Sequence, residues 1–389
     1  MRTNYIYKLL ALLFTVLLLN SCTSSSVSSS DAVREDMMNL PPMKDQFSSF
    51  FMFGNIFNPS DVGASGVTNA RLTRHYNILT AENDMKPYRL SSARGIYTFT
   101  TADRMVNAAI ESGLKVVGHT LLWHSQIPDW QRDIARQPRD AALEAMRQYI
   151  TDVVTHFRGR IYSWDVLNEI FPDGVRPFND WRTSMRTTGD NQSPNPWFVA
   201  IGSDFVYEGF LAARLADPNA ILYYNDYNLD QTGKATMVRN MVRDVNERYR
   251  AAYPNENRLL IEGIGMQSHH NIGVLTGNIR NSINLFRPLG VKISISELDL
   301  LSQSWSDYRN NVPVMYVGEL SSSLLYADYF RLFMDNSDII ERVTFWGVFD
   351  EQSWRARGKP LIFEGRTVST AKPAYYRIME ALEERQNQR

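Results

Sequence analysis

Short apolar runs rich in β-branched and aromatic residues recur along this chain, separated by longer segments of helical spacing, and that alternation constrains the fold more than any other feature. Runs near 51–54, 78–80, 115–122, 161–167, 220–224, 259–266, 291–295 and 342–349 read as eight strands. Segments 140–156 and 235–253 read as amphipathic helices, the second stopped by Pro254. Strands that alternate with helices pair in parallel, because each helical crossover carries the chain back to the end of the sheet where it started. Eight such units predict closure into a (β/α)8 TIM barrel, an α/β fold occupying 46–389 as one domain.

Polar residues gather where these strands end: Glu82-Asn83-Asp84, His119 with Trp123-His124, Asn168-Glu169, Asn225-Asp226, Gln267-Ser268-His269, Glu297-Leu298-Asp299 and Asp350. In a barrel every such end faces the same rim, which is where active sites of this architecture form. Seven separate segments therefore converge on one cleft. Lys and Arg total 41 against 42 Asp and Glu, which leaves no net field to draw in a phosphate backbone, and no basic run tracks a nucleic acid.

The first residues point outward from the cytoplasm. Leu9 to Leu19 is apolar except for Thr15 and too short for a stable membrane span, so 1–21 reads as a signal peptide. It ends in Leu19-Asn20-Ser21-Cys22, which resembles the bacterial lipobox, and implies lipidation of Cys22, the single cysteine of the chain. Ser-rich 22–45 then reads as a flexible tether, giving a lipoprotein of the cell envelope, at the outer membrane or cell surface, held by lipid alone. A large core explains why no disulfide is needed.

Hydrolysis of a glycosidic bond needs a proton donor for the leaving oxygen and a second carboxylate across the anomeric carbon. Glu169, ending the fourth strand, and Glu297, ending the seventh, are suited to the two roles. Carboxyl groups ~5 to 5.5 Å apart retain the anomeric configuration, and ~6.5 to 9.5 Å leaves room for water and inverts it. A zinc site from His119, His124 and His269 is disfavoured, since the spacing lacks a metalloprotease pattern and this chemistry needs neither metal nor cofactor.

These segments resemble the family 10 glycoside hydrolases, chiefly endo-β-1,4-xylanases, over almost the whole domain. Trp164-Asp165-Val166-Leu167-Asn168-Glu169 is similar to that family's acid/base segment, and Ile295-Ser296-Glu297-Leu298-Asp299 to its nucleophile segment. Blocks beginning at Glu82, Gly118, Tyr224, Gly265 and Trp346 match in the same order. The resemblance implies retaining endo-hydrolysis of xylan and xylo-oligosaccharides by a monomer, with Glu169 as acid/base and Glu297 as nucleophile. It implies that Asn168 binds the sugar 2-hydroxyl and that His269, held by Asp299, orients Glu297. Glu82, Asn83, Lys86, His119 and Gln126 are then ligands of the glycone, Trp123, Trp346 and Trp354 its walls, and Tyr227 and Gln267 the start of the aglycone side.

Two departures stand out: Pro87 replaces a frequent Trp, and 171–196 is long and rich in Arg, Asn and Asp. The same chemistry on β-1,4-glucan or short aryl glycosides, and a glycan-binding lipoprotein that does not cut, are the competing readings.

Overall fold

A computed structural model describes residues 35–187 and 194–388. The segment read as signal peptide, lipidated Cys22 and the first part of the tether lies outside the described residues. Eight barrel strands run β1 Met52–Phe57, β2 Ile78–Ala81, β3 Lys115–Leu122, β4 Ser163–Asn168, β5 Ile221–Asp226, β6 Gly263–Met266, β7 Lys292–Leu301 and β8 Ile340–Phe345. All pair in parallel in sequential order, β1 pairs with β8, and the β6–β7 pairing closes the ring. Helices occupy the crossovers, including Arg139–His156 and Thr232–Ala252.

Helix Arg139–His156 buries Ala142, Ala145, Met146, Tyr149, Ile150, Val153 and Val154, a three-to-four residue spacing that faces one stripe toward the sheet. Strand glycines make room for large neighbours. A Cβ on Gly118 would fall 2.2 Å from Cε3 of Trp164, which is wholly buried, so β3 and β4 can pack only with hydrogen at that position.

The folded unit starts earlier than the sequence pattern indicates. Residues 36–45, expected to belong to the tether, are part of it: Met37, Leu40 and Met43 are buried, and Met37 N donates to Ser369 O at 2.8 Å. Nothing local marks this, because Met37, Leu40 and Met43 are buried by groups far along the chain: His75 Nδ1 accepts from Met43 N at 3.4 Å, and His75 Nε2 lies 2.8 Å from Met37 O.

Strand limits also differ. Only Gly263–Met266 of 259–266 is strand, and the eighth strand stops at Phe345. The seventh does not end at Glu297 but continues to Leu301, because a short strand His269–Asn271 gives it a second partner, with His269 opposite Asp299. A register shift between Ile295 and Leu298 against β8 falls at Glu297 itself.

Candidate active site

The ends of the strands enclose a cleft of about 730 Å³. Glu82, Asn83, Lys86, His119, Trp123, Gln126, Asn168, Glu169, Tyr227, Gln267, His269, Glu297, Trp346 and Trp354 all line it. Asp299 stands directly behind, fully buried. The candidate catalytic and substrate-binding residues in the described part of the chain are thus brought to one place, whereas Asp350, also read at a strand end, pairs with Lys372 and does not line the cleft.

Glu169 follows the last residue of β4 and takes a left-handed backbone, φ 55°. For a residue with a side chain that conformation costs on the order of 1 kcal/mol and persists only where the surroundings enforce it. Here the backbone is clamped on both sides. Glu169 N donates to Asn225 O at 2.9 Å, Arg186 Nε donates to Glu169 O at 2.8 Å, and Ile170 N donates to the Tyr224 hydroxyl at 3.3 Å. The turn aims the carboxylate into the cleft, where Trp123 Nε1 donates to Oε2 at 2.8 Å and Gln267 Nε2 to Oε1 at 2.9 Å.

Glu297 is buried, and Asn225 Nδ2 donates to its Oε1 at 2.8 Å while His269 Nε2 lies 3.1 Å from its Oε2. Burial by itself disfavours the anion, but the His269 hydrogen bond, the positive field of the neighbouring histidines and Asn225 outweigh it, holding the carboxyl below its ordinary pKa. Burial likewise works against a charged His269, yet Asp299 and Glu297 together push it up to about 9. His269 is therefore a cation at neutral pH, with Nδ1 in an ion-pair contact 3.1 Å from Asp299.

Amides join the two carboxylates. Asn225 Nδ2 and Gln267 Nε2 both donate to the Asn168 oxygen, at 3.0 and 3.2 Å, and each also donates to one of the glutamates. A Cβ on Gly265 would sit 2.2 Å from Asn225 Oδ1, so that glycine keeps Asn225 in line with Glu297. Ser296 Oγ fixes the same oxygen at 2.6 Å.

On the side of β2 and β3, Lys86 Nζ donates to Asn83 at 2.9 Å and lies 5.2 Å over the Trp123 ring, and Asn58 holds Glu82 at 2.8 Å. Burial lowers the Lys86 pKa, opposed by Glu297, Glu82 and Glu169. His119 Nδ1 meets Asp165 at 2.9 Å and packs edge-on to Trp346 with ring centroids 5.5 Å apart. Trp354 is 59% exposed, with its indole N–H donated to Asp299 at 3.1 Å. On the other side, Arg186 Nη2 donates to the Tyr227 hydroxyl at 2.7 Å, and Lys234 Nζ lies 3.4 Å over the Tyr227 ring while pairing with buried Asp226 at 2.8 Å. Burial raises Asp226 to about 6 despite Lys234.

Asn225, Arg186, Arg355 and Trp305 were not singled out from sequence as ligands or supports, although all but Asn225 line the cleft. Arg186 comes from the long 171–196 segment, whose Arg-rich composition was the one signal available; Trp305 follows β7 beyond any motif. Among the described residues no group of three or more His, Cys, Asp or Glu is arranged to hold a metal.

Comparison with known proteins agrees with this geometry. The profile of "Glycosyl hydrolase family 10" matches residues 43–381. "Endo-1,4-beta-xylanase A" of Thermotoga maritima is 33% identical over 361 residues, covering 89% of this chain and 31% of that protein, so the chain spans about a third of that relative's length. "Endo-1,4-beta-xylanase" of Geobacillus stearothermophilus is 32% identical over 354 residues, covering 88% of this chain and 98% of that one. A solved structure described as a bacterial Ig-like domain-containing GH10 xylanase from termite gut superposes with a TM-score of 0.87 at 54% identity, covering 91% of this chain and 80% of that one. The chain belongs to glycosyl hydrolase family 10.

Proposed function

We propose that this chain hydrolyses β-1,4-xylosidic bonds within xylan and xylo-oligosaccharides, with retention, through a covalent glycosyl-enzyme. The observation that carries this reading is the pair of carboxylates on one cleft, Glu297 buried, hydrogen-bonded and held ionised, and Glu169 aimed in by a left-handed turn. Glu297 attacks the anomeric carbon as Glu169 passes its proton to the leaving oxygen, so one bond forms while the glycosidic bond breaks. Glu169, now ionised, takes a proton from water, which attacks the ester, returns Glu297 as a carboxylate and leaves Glu169 protonated. Asn168 contacts the 2-hydroxyl, and Glu82, Asn83, Lys86, His119 and Gln126 bind further hydroxyls, with Trp123, Trp346 and Trp354 against the sugar faces and Tyr227 and Gln267 on the leaving side. No cofactor enters these steps. The activity for which the two xylanase relatives are named supports the choice of xylan.

Incubation of the protein with xylan, cellulose and mixed-linkage glucan tests the reading. Xylan is expected to yield oligosaccharides of several lengths whose new reducing ends are first seen by NMR as the β anomer. Binding of xylan without release of reducing sugar, or an α product, would overturn it.

His269 supplies a test through pH. Glu297 must be ionised to attack, and because its pKa lies below the ordinary value, activity is lost only as pH falls through that lowered value. Replacing His269 by Ala removes the hydrogen bond that lowers it, so the acid limb of kcat/KM is expected to move to higher pH. An acid limb left where it was would show that His269 does not set the charge of Glu297.

The reading extends to location. The 1–21 signal peptide and lipobox support lipidation of Cys22 and attachment to the cell envelope, at the outer membrane or surface. No helix among the described residues is long and apolar enough to cross a membrane. The same reading has the chain acting as a monomer. Cys22→Ser is expected to move the protein from the membrane pellet to the soluble fraction, and mass spectrometry to find a diacylglyceryl adduct on wild-type Cys22; an unmodified Cys22 would remove the anchor from the account.

A further inference from the structure

We infer that Trp305 is a stacking platform for a sugar unit of the substrate lying outside the two that flank the cleaved bond, an inference that rests on the proposed polysaccharide hydrolysis. Trp305 opens a five-residue helix, Trp305–Arg309, capped by Ser304, whose Oγ accepts from Asp307 N at 3.1 Å. The indole lines the cleft and stays 43% exposed, although it is one of the largest apolar side chains in the protein. A half-open tryptophan in a cleft costs solvation unless something apolar and flat covers it, and the face of a pyranose is such a surface.

Its position is held by many contacts. Tyr308 stacks beneath it with ring centroids 5.5 Å apart and planes 18° from parallel. The guanidinium of Arg355, itself buried, lies 5.6 Å from the Trp305 ring and 5.6 Å from the Trp354 ring, so one cation sits between two half-exposed indoles. Arg355 is in turn fixed by Asp299 and by His270 O, to which Nη2 donates at 2.9 Å. The loops carrying the two tryptophans are also tied together: Ser302 N donates to Gly358 O at 2.9 Å, backbone to backbone, and the Arg357 side chain donates through Nη2 to Tyr308 O at 3.0 Å. Gly318 permits this rim to close, since a Cβ there would fall 2.1 Å from Ser302 O.

Contacts also order these side chains outward from Glu297. Glu297 touches His269, His269 packs on Trp354 and Asp299, Asp299 holds Arg355, and only then comes Trp305. A sugar seated on Glu297 is thus served by Trp354, while Trp305 is left for a more distant unit. Nothing in the acid/base chemistry requires it. Its chemistry is that of a chain-length reader.

The test compares Trp305→Ala, Trp305→Phe and the intact chain on xylohexaose and on an aryl xylobioside. In Trp305→Ala the ratio of kcat/KM on the long substrate to that on the short one is expected to fall about threefold to tenfold, the scale of one lost aromatic stack, and Trp305→Phe to restore most of it. Calorimetric binding of xylohexaose should weaken by a similar factor, which reads the platform without any cleavage. An unchanged ratio with unchanged binding, or an equal fall on both substrates with a lowered melting temperature, would overturn the platform. Intact protein that cuts neither substrate would instead overturn the proposed function, with the binding comparison still deciding the role of Trp305.

Discussion

Glu297→Gln is expected to reduce kcat on xylan by roughly 10⁵-fold while the protein stays folded, the scale on which loss of a covalent nucleophile acts. The substitution keeps the volume of a buried side chain whose neighbours are Asn225 and His269, and removes only the negative charge and the attacking oxygen. His269 then loses one of the two carboxylates that hold its proton, leaving Asp299, so its pKa should fall from about 9 while the ring stays in place. Single-turnover kinetics with an activated xylobioside check the first outcome, and an NMR titration of the His269 ring checks the second. Activity above about a hundredth of the intact protein would mean that Glu297 is not the attacking group.

Glu169→Ala is expected to lose roughly 10²- to 10⁴-fold on xylan, the range for a positioned general acid, and much less on aryl glycosides whose leaving group needs no proton. Removing the carboxylate strands two donors, Trp123 Nε1 and Gln267 Nε2, and opens space beside the ester. Azide, small and anionic, can occupy that space and attack, so turnover should return as a glycosyl azide of retained configuration. An inverted azide would contradict a double displacement in which Glu297 acts first.

Much of this architecture was legible in the chain, for a local reason. Strand segments such as 115–122 show themselves because both faces of a barrel strand are buried and apolar residues run together. Helices such as Arg139–His156 show themselves because only one stripe is buried. The convergence of Glu82, His119, Glu169, Gln267 and Glu297 could be read from their positions at strand ends, since parallel topology sends all those ends to one rim. The extension of β7 past Glu297 could not, because it depends on pairing with His269–Asn271, a partner that exists only once the loop after β6 has folded back. Nor could the burial of Met37, Leu40 and Met43, in a segment held by His75 and Ser369, which are distant along the chain.

The supports of the site were hidden for the same reason. Arg186 is seventeen residues from the carbonyl it holds, in a segment whose polarity suggests a plain surface loop, yet it is among the most deeply buried arginines. Asn225 and Gly265 make a pair only across adjacent strands, and Arg355 reaches Trp305 across two loops. Residue types and their spacing alone determined the barrel, the rim and the two glutamates, because periodicity and strand order are properties of the chain read in line. The charge of Glu297, the proton on His269, the left-handed turn at Glu169 and the Arg355-centred pair of indoles were decided by the tertiary structure. Each depends on groups that are distant along the chain and meet in a buried space, where hydrogen bonds and low dielectric give a few ångströms the power to set a charge.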